Sequence, residues 1–175
     1  WPSTAHYLAF AELPSAQDGT IRITAGGRYT LYLNGDLVGS DDDPETVETW
    51  DVGFSNRSNN VAVVVEHAGD DSPYGLFAVL QSEDVLFVSS PLDRTTPWFW
   101  TGTPLPNEAG ADWTELRLNR LDRHEENGEA VLWEPVQAGS LSPDAYTDFA
   151  DLDLTRASSV AGFPVIFPLY RGPCG

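Results

Sequence analysis

The sequence predicts an all-β fold, either a β-sandwich or a barrel. Over the first 90 residues, short runs of β-forming residues follow one another at spacings of about 8–12 residues, which is typical of both architectures. Residues that favour turns (Gly, Asn, Asp and Pro) separate the runs. The predicted strands are HYLAFAEL, TIRITA, RYTLYL, a strand carrying Trp50 and Val52, NVAVVVEH, LFAVLQ and VLFVSS.

The segment RYTLYLNGDLVG is the clearest predicted hairpin. Asn34-Gly35 tolerates the positive φ angles that a two-residue hairpin turn requires. Strand alternation places one set of side chains on a single face, which we predict to be the core face, and sends Thr30 and Tyr32 to the other. The return strand is predicted to be short, residues 36–38. The predicted core-facing residues are Tyr29, Leu31 and Leu33.

The sequence changes character after Ser90. The segment PLDRTTPWFWTGTPLPNEAGADWTEL has many Trp and Pro residues but no sustained period, so we expect tertiary packing to order it around the sandwich. Residues 117–136 can hold a short helix or an edge hairpin. We therefore divide the chain into a β-sandwich, residues 1–136, and an extended tail rich in Pro and aromatic residues, residues 137–175.

The charge of the chain limits its partners. The formal net charge is −18 and all nine basic residues are Arg. Nucleic-acid binding needs a basic surface, so we expect no nucleic-acid partner. The longest apolar stretch, Val61–Val65, is far shorter than the ~20 residues that span a bilayer. We expect no membrane span within the chain and an extracytoplasmic location, either periplasmic or secreted.

The residues that carry catalysis and metal binding form no diagnostic motif. GxSxG, HExxH and the P-loop pattern are missing from the sequence, so we predict that the chain is not an enzyme. The acidic stretch DDDPETVE lacks the Gly of a calcium-binding EF-hand loop. It is either a solvated loop or a calcium site, and calcium is the one cofactor left open. The histidines are isolated in sequence and are predicted to lie at strand edges or on the surface: His6, His67 and His124.

Aromatic residues are the remaining signal for binding. The densest cluster is Trp98-Phe99-Trp100. On a strand, the two tryptophans would face one way and Phe99 the other. Three roles remain open for the tryptophans: closing one end of the sandwich, stacking on a sugar, or forming a partner surface.

A set of short motifs occurs along the chain in a fixed order: Tyr29, Asn34-Gly35, Asn60-Val61, Gly75-Leu76, and Asp93 with Trp98 and Trp113. In this order they resemble the galactose-binding-like β-sandwich modules that occur as accessory domains of bacterial glycosidases, α-L-rhamnosidases among them. The resemblance covers residues 5–118. It implies a jelly-roll sandwich with a non-catalytic role, either contact with sugar or packing between domains.

The tail is too apolar for a solvated linker, which suggests that it docks on another molecule. We therefore predict a structural or accessory subunit of a larger extracytoplasmic complex, with a membrane-associated complex as one conceivable host. Other protein subunits would be its partners. The alternative is a carbohydrate-binding module that binds a glycan through Trp98 and Trp100. The residues predicted to contact a partner are Phe163, Ile166, Phe167 and Tyr170.

Overall fold

The computed structural model describes residues 3–13, 15–43, 46–55, 57–66, 76–83, 86–88 and 98–135. Two antiparallel sheets form a sandwich, which confirms the predicted all-β class and decides against a barrel. The strands are β1 (Thr4–Leu13), β2 (Gln17–Ala25), β3 (Arg28–Leu33), β4 (Asp36–Asp41), β5 (Glu48–Phe54), β6 (Arg57–Glu66), β7 (Leu76–Ser82), β8 (Leu86–Val88), β9 (Trp98–Thr101), β10 (Glu125–Glu126), β11 (Glu129–Ala130) and β12 (Glu134–Pro135).

The larger sheet has the strand order β12-β9-β1-β6-β3-β4, and the smaller sheet has the order β5-β2-β7-β8. Their facing sides enclose the main core. From the hairpin, Tyr29, Leu31 and Leu33 all enter this core, as the sequence predicted. The smaller sheet contributes Ile21, Ile23, Phe54, Ala78 and Leu80.

A second apolar cluster lies on the outer face of the larger sheet. Tyr32, Ala62 and Val64 point to this side, where they meet Trp113 and Trp133. Those two tryptophans belong to residues 102–135, which we call the cover and which end in β12, a strand that joins the larger sheet beside β9. The cover contains two short 3-10 helices, Asp112–Glu115 and Leu118–Arg123. The wrapping predicted for residues 91–116 is therefore confirmed for residues 102–116, whereas Trp98–Thr101 of the same segment form β9 within the larger sheet, and residues 91–97 lie outside the described residues.

The Asn34-Gly35 turn has the two positive φ values, 54° and 90°, of a two-residue hairpin turn. The return strand is longer than predicted, because β4 continues to Asp41. A bulge between its pairs with Leu31 and Tyr32 lets β4 keep pairing beyond the predicted end at Val38.

Residues 117–136 contain both of the structures that the sequence left open. The second 3-10 helix comes first, and a small hairpin, β10 and β11, follows it. Its turn is Asn127-Gly128, with φ values of 53° and 80°. Within the described residues, the same type of turn therefore occurs twice, once against the cover and once in solvent.

The two Asn-Gly turns allow a matched test of what Asn34 contributes. The Asn34 side chain accepts a hydrogen bond from the backbone N–H of Asn60 at 2.8 Å and donates one to Asn59 Oδ1 at 3.1 Å. Asn127→Ala changes an exposed residue with the same backbone conformation, and we expect it to lower the free energy of unfolding by roughly 1–2 kcal/mol, the cost of Ala at a positive φ. We expect Asn34→Ala to lower it by about 2 kcal/mol more than Asn127→Ala does, since two partly buried hydrogen bonds are also lost. Urea denaturation followed by tryptophan fluorescence measures both, and equal losses would contradict the assignment.

Candidate functional site

One edge of the sandwich brings polar and aromatic side chains together. Here β4, the last strand of the larger sheet, lies against β5, the last strand of the smaller sheet. Because alternate residues of a strand share a face, the pairing of Tyr29 with Asp41 and of Leu31 with Gly39 turns Asp41 and Gly39 inward. We call the group formed by Tyr29, Gly39, Asp41, Glu48 and Trp50 the edge site.

Trp50 is the partly exposed aromatic ring of the edge site. Its Nε1–H donates a hydrogen bond to the Tyr29 hydroxyl at 3.0 Å. Its six-membered ring lies so close to Gly39 that a Cβ on that residue would be 2.3 Å from the nearest ring carbon. The glycine therefore makes room for the indole, and the hydrogen bond fixes its orientation.

Tyr29 is 2% exposed. Burial raises the pKa of its phenol to about 12; the hydrogen bond from Trp50 opposes this rise, and the nearby carboxylates of Asp41 and Glu48 add to it. The phenol is therefore neutral throughout the physiological range and keeps its proton for donation. An indole, a phenol and two carboxylates meet at this edge of the sandwich.

The acidic loop between β4 and β5 is partly organised by Asp41. Its Oδ2 accepts hydrogen bonds from the backbone N–H of Asp43 at 3.1 Å and from Thr46 Oγ1 at 3.3 Å. Within the described part of the chain, no group of three His, Cys, Asp or Glu side chains is placed to hold a metal ion. Pro44 and Glu45 lie outside the described residues, so calcium binding by DDDPETVE stays a prediction.

The sequence-predicted aromatic cluster lies elsewhere, on β9. Trp98 and Trp100 share a face and Phe99 has the opposite one, as strand alternation predicted. Trp98 is 5% exposed and belongs to the main core, so its ring is a packing element with no open face for a sugar. Trp100 is partly buried against the same core.

Sequence reasoning missed the edge site; the available signal was a Trp in a strand that directly follows an acidic loop.

The histidine prediction is wrong for two of the three residues. His6 is 1% exposed and His124 is 8% exposed, so neither lies on the surface. His6 is buried because the outer face of β1 is covered, which strand pattern alone does not reveal. His67 lies outside the described residues, as do the predicted partner-contacting residues Phe163, Ile166, Phe167 and Tyr170.

Comparison with known proteins shows the fold. No family model matches the sequence, and no curated protein matches it. Among solved structures, the apo lectin of Pleurotus ostreatus has a TM-score of 0.53 and 15% identity, and the match covers 77% of this chain and 37% of the lectin. The α-L-rhamnosidase of Streptomyces avermitilis, complexed with L-rhamnose, has a TM-score of 0.55 and 19% identity, over 77% of this chain and 12% of that enzyme. The chain thus spans well under half the length of either protein.

These matches confirm the galactose-binding-like, jelly-roll β-sandwich that the sequence resemblance implied. A lectin and a glycosidase both contain a sandwich of this shape. In the described residues, no helix is long and apolar enough to cross a membrane. The identities are low, so the comparisons establish the fold of this chain and leave its ligand to be argued from the edge site.

The glycine beneath Trp50 provides a test of the edge site. We expect Gly39→Ala to displace the indole, to change the near-ultraviolet circular dichroism of the protein and to lower the free energy of unfolding by about 2 kcal/mol, because the added methyl overpacks the site. Gly53→Ala on β5 is the matched control, since its Cβ would meet only Asp18 Oδ1, at 4.0 Å. An unchanged spectrum for Gly39→Ala would mean that Trp50 is not held against this glycine.

Proposed function

We propose that this chain is a non-catalytic accessory module that binds carbohydrate at the edge site. The observation that carries the proposal is the partly exposed Trp50 ring, held by Tyr29 and Gly39 beside the carboxylates of Asp41 and Glu48. Sugar recognition needs a flat apolar surface for the C–H face of the ring and fixed polar groups for its hydroxyls. The presence of the same sandwich in a lectin and in a rhamnosidase supports this reading.

The charge of the site favours one class of sugar. Carboxylates accept hydrogen bonds from hydroxyl groups, so Asp41 and Glu48 suit a sugar rich in hydroxyls. The net charge of −18 repels acidic sugars such as uronates. We therefore expect neutral glycans to bind best.

The non-catalytic role is supported by how the carboxylates are used. Glycoside hydrolysis needs two carboxyl groups that act on the scissile bond, one as acid and one as nucleophile or base. Asp41 instead accepts two hydrogen bonds from its own loop, which suits a structural and ligand-orienting role. The glycosidase in which this sandwich recurs is much longer than the chain, consistent with an accessory role.

A glycan array followed by calorimetry tests the proposal. We expect millimolar or tighter binding of a neutral glycan, and a loss of roughly 2- to 12-fold for Trp50→Ala, because stacking on an aromatic ring is worth roughly 0.5–1.5 kcal/mol. Asp51→Asn is the control, since this carboxylate lies on the same strand but is exposed. Absence of glycan binding, or a Trp50→Ala variant that binds unchanged, would overturn the proposal. A loss confined to Trp100→Ala would also overturn it, because the sugar would then lie at β9.

We also propose, from the sequence alone, that the tail attaches this module to another protein subunit outside the cytoplasm. Its apolar residues and prolines suit an extended segment that loses little entropy on docking. Deleting residues 158–175 should abolish co-purification with a partner and leave sugar binding at the edge site unchanged. A complex that survives the deletion would contradict docking through the tail.

A further inference from the structure

Two buried histidines flank a pair of tryptophans between the larger sheet and the cover. His6 on β1 meets the Trp113 ring edge to face, with ring centroids 5.0 Å apart. Trp113 stacks on Trp133 at 6.3 Å, and Trp133 Nε1–H donates to His124 Nδ1 at 3.0 Å. The four rings form a continuous layer, which we call the histidine–tryptophan cluster. It joins the sheet to three separate parts of the cover.

The surroundings of His6 offer little stabilisation of a charge on its imidazole ring. Neither of its ring nitrogens has a hydrogen-bond partner of normal geometry among the described residues, and the same holds for His124 Nε2. Burial lowers the pKa of His6 to about 4, and the nearby backbone of Leu105 offsets only part of this effect. Burial also lowers the pKa of His124. Both imidazoles are therefore neutral at pH 7, and both resist protonation while they stay buried.

The charged groups around the imidazole of His6 differ from those around the imidazole of His124. Around His6, the pairing residues Val64 and Thr101 and the stacking Trp113 carry no charge. His124 faces two carboxylates, Glu126 on β10 and Asp112 in the first 3-10 helix, and both act to raise its pKa. They weaken the effect of burial on His124 without reversing it. His6 is consequently the more acid-sensitive member of the cluster.

The cluster belongs to only one of the two apolar cores. The second apolar cluster, on the outer face of the larger sheet, joins that sheet to the cover, whereas the main core joins the two sheets. Neither histidine contributes to the main core. Among the described residues, the backbone of the cover bonds to the larger sheet at few, separate points. β12 pairs with β9 at two residues, Gly110 N–H donates to the Gly35 carbonyl, and the Leu116 carbonyl accepts from the Asn60 side chain. Protonation of the two histidines is therefore expected to weaken the packing of the cover on the larger sheet and to leave the packing between the two sheets unchanged.

We propose that the cover is an acid-released layer: protonation of His6, assisted by His124, detaches residues 102–135 from the larger sheet while the two-sheet core stays folded. Release exposes an apolar face that is covered at neutral pH. Its residues are Leu8, Phe10, Tyr32, Ala62 and Val64.

The sign of the pH dependence follows from proton linkage. When the cover opens, His6 returns to its ordinary pKa of 6.5, so the open state binds more protons than the closed state between about pH 4 and pH 6.5. The opening equilibrium thus rises as the pH falls through this range. With these two values, the shift from about pH 8 to about pH 5 increases opening roughly 30-fold.

Hydrogen exchange measured by mass spectrometry on the full chain, corrected for the intrinsic pH dependence of exchange, tests this inference. We expect the protection of peptides from the cover to fall roughly 30-fold at about pH 5 relative to about pH 8. Peptides from β2, β5 and β7 should keep their protection. A uniform loss over both sheets, or an unchanged cover, would overturn the proposal.

Two variants identify the group responsible. His6→Phe keeps a ring against Trp113 and removes the titratable nitrogens, which make no hydrogen bond of normal geometry among the described residues; the interaction with the Leu105 backbone is lost as well. The variant should therefore fold and show a cover whose protection changes less than about threefold with pH. Glu129→Gln, at an exposed carboxylate of β11, should retain the full pH response. A wild-type pH response in His6→Phe would overturn the proposal. If this variant does not fold, the wild type is tested at about pH 5 for reversible binding of an apolar dye. Dye binding with the two-sheet core intact would support release of the cover, and no binding would overturn it.

Discussion

The need to bury both faces of β6 governs this molecule. The run VAVVV has no polar residue, so strand alternation sends Val61, Val63 and Val65 into the space between the sheets and Ala62 and Val64 to the opposite side. The smaller sheet covers only the inner face of β6 and leaves the outer face to be buried by something else. The chain solves the problem with a second layer of a different kind, made of short helical turns and tryptophans rather than of strands. The cover is thus a structural requirement of the central strand.

The strands, the hairpin and the core-facing residues could be predicted from the sequence because each depends on residues close together in the chain. Asn34-Gly35 fixes the hairpin through backbone conformation, and alternation assigns Tyr29, Leu31 and Leu33 to the core without knowledge of any neighbour. The edge site depends instead on two strands from different sheets meeting at Gly39 and Trp50. No pattern within either strand encodes that approach. The burial of His6 could not be predicted for the same reason, because it depends on Trp113, which lies more than 100 residues away in the sequence.

The edge site and the histidine–tryptophan cluster are separate in composition and in the layers they connect. The edge site lies where the two sheets meet, and it draws on β3, β4 and β5. The cluster joins β1 to the cover. The two proposals can therefore be tested by separate measurements. The hairpin of β3 and β4 borders both regions, since the Gly35 carbonyl at its turn accepts a hydrogen bond from Gly110 of the cover.

The position of β12 has a consequence for how this domain is delimited. Glu134 and Pro135 pair with Trp100 and Phe99, so the last described strand closes onto β9 only after the chain has crossed the outer face of the sheet. A polypeptide that ended at Thr101 would lack β12 and leave that face bare, with Leu8 and Phe10 in water. A module that keeps this face covered therefore includes the crossing segment and extends at least to Pro135, where β12 ends.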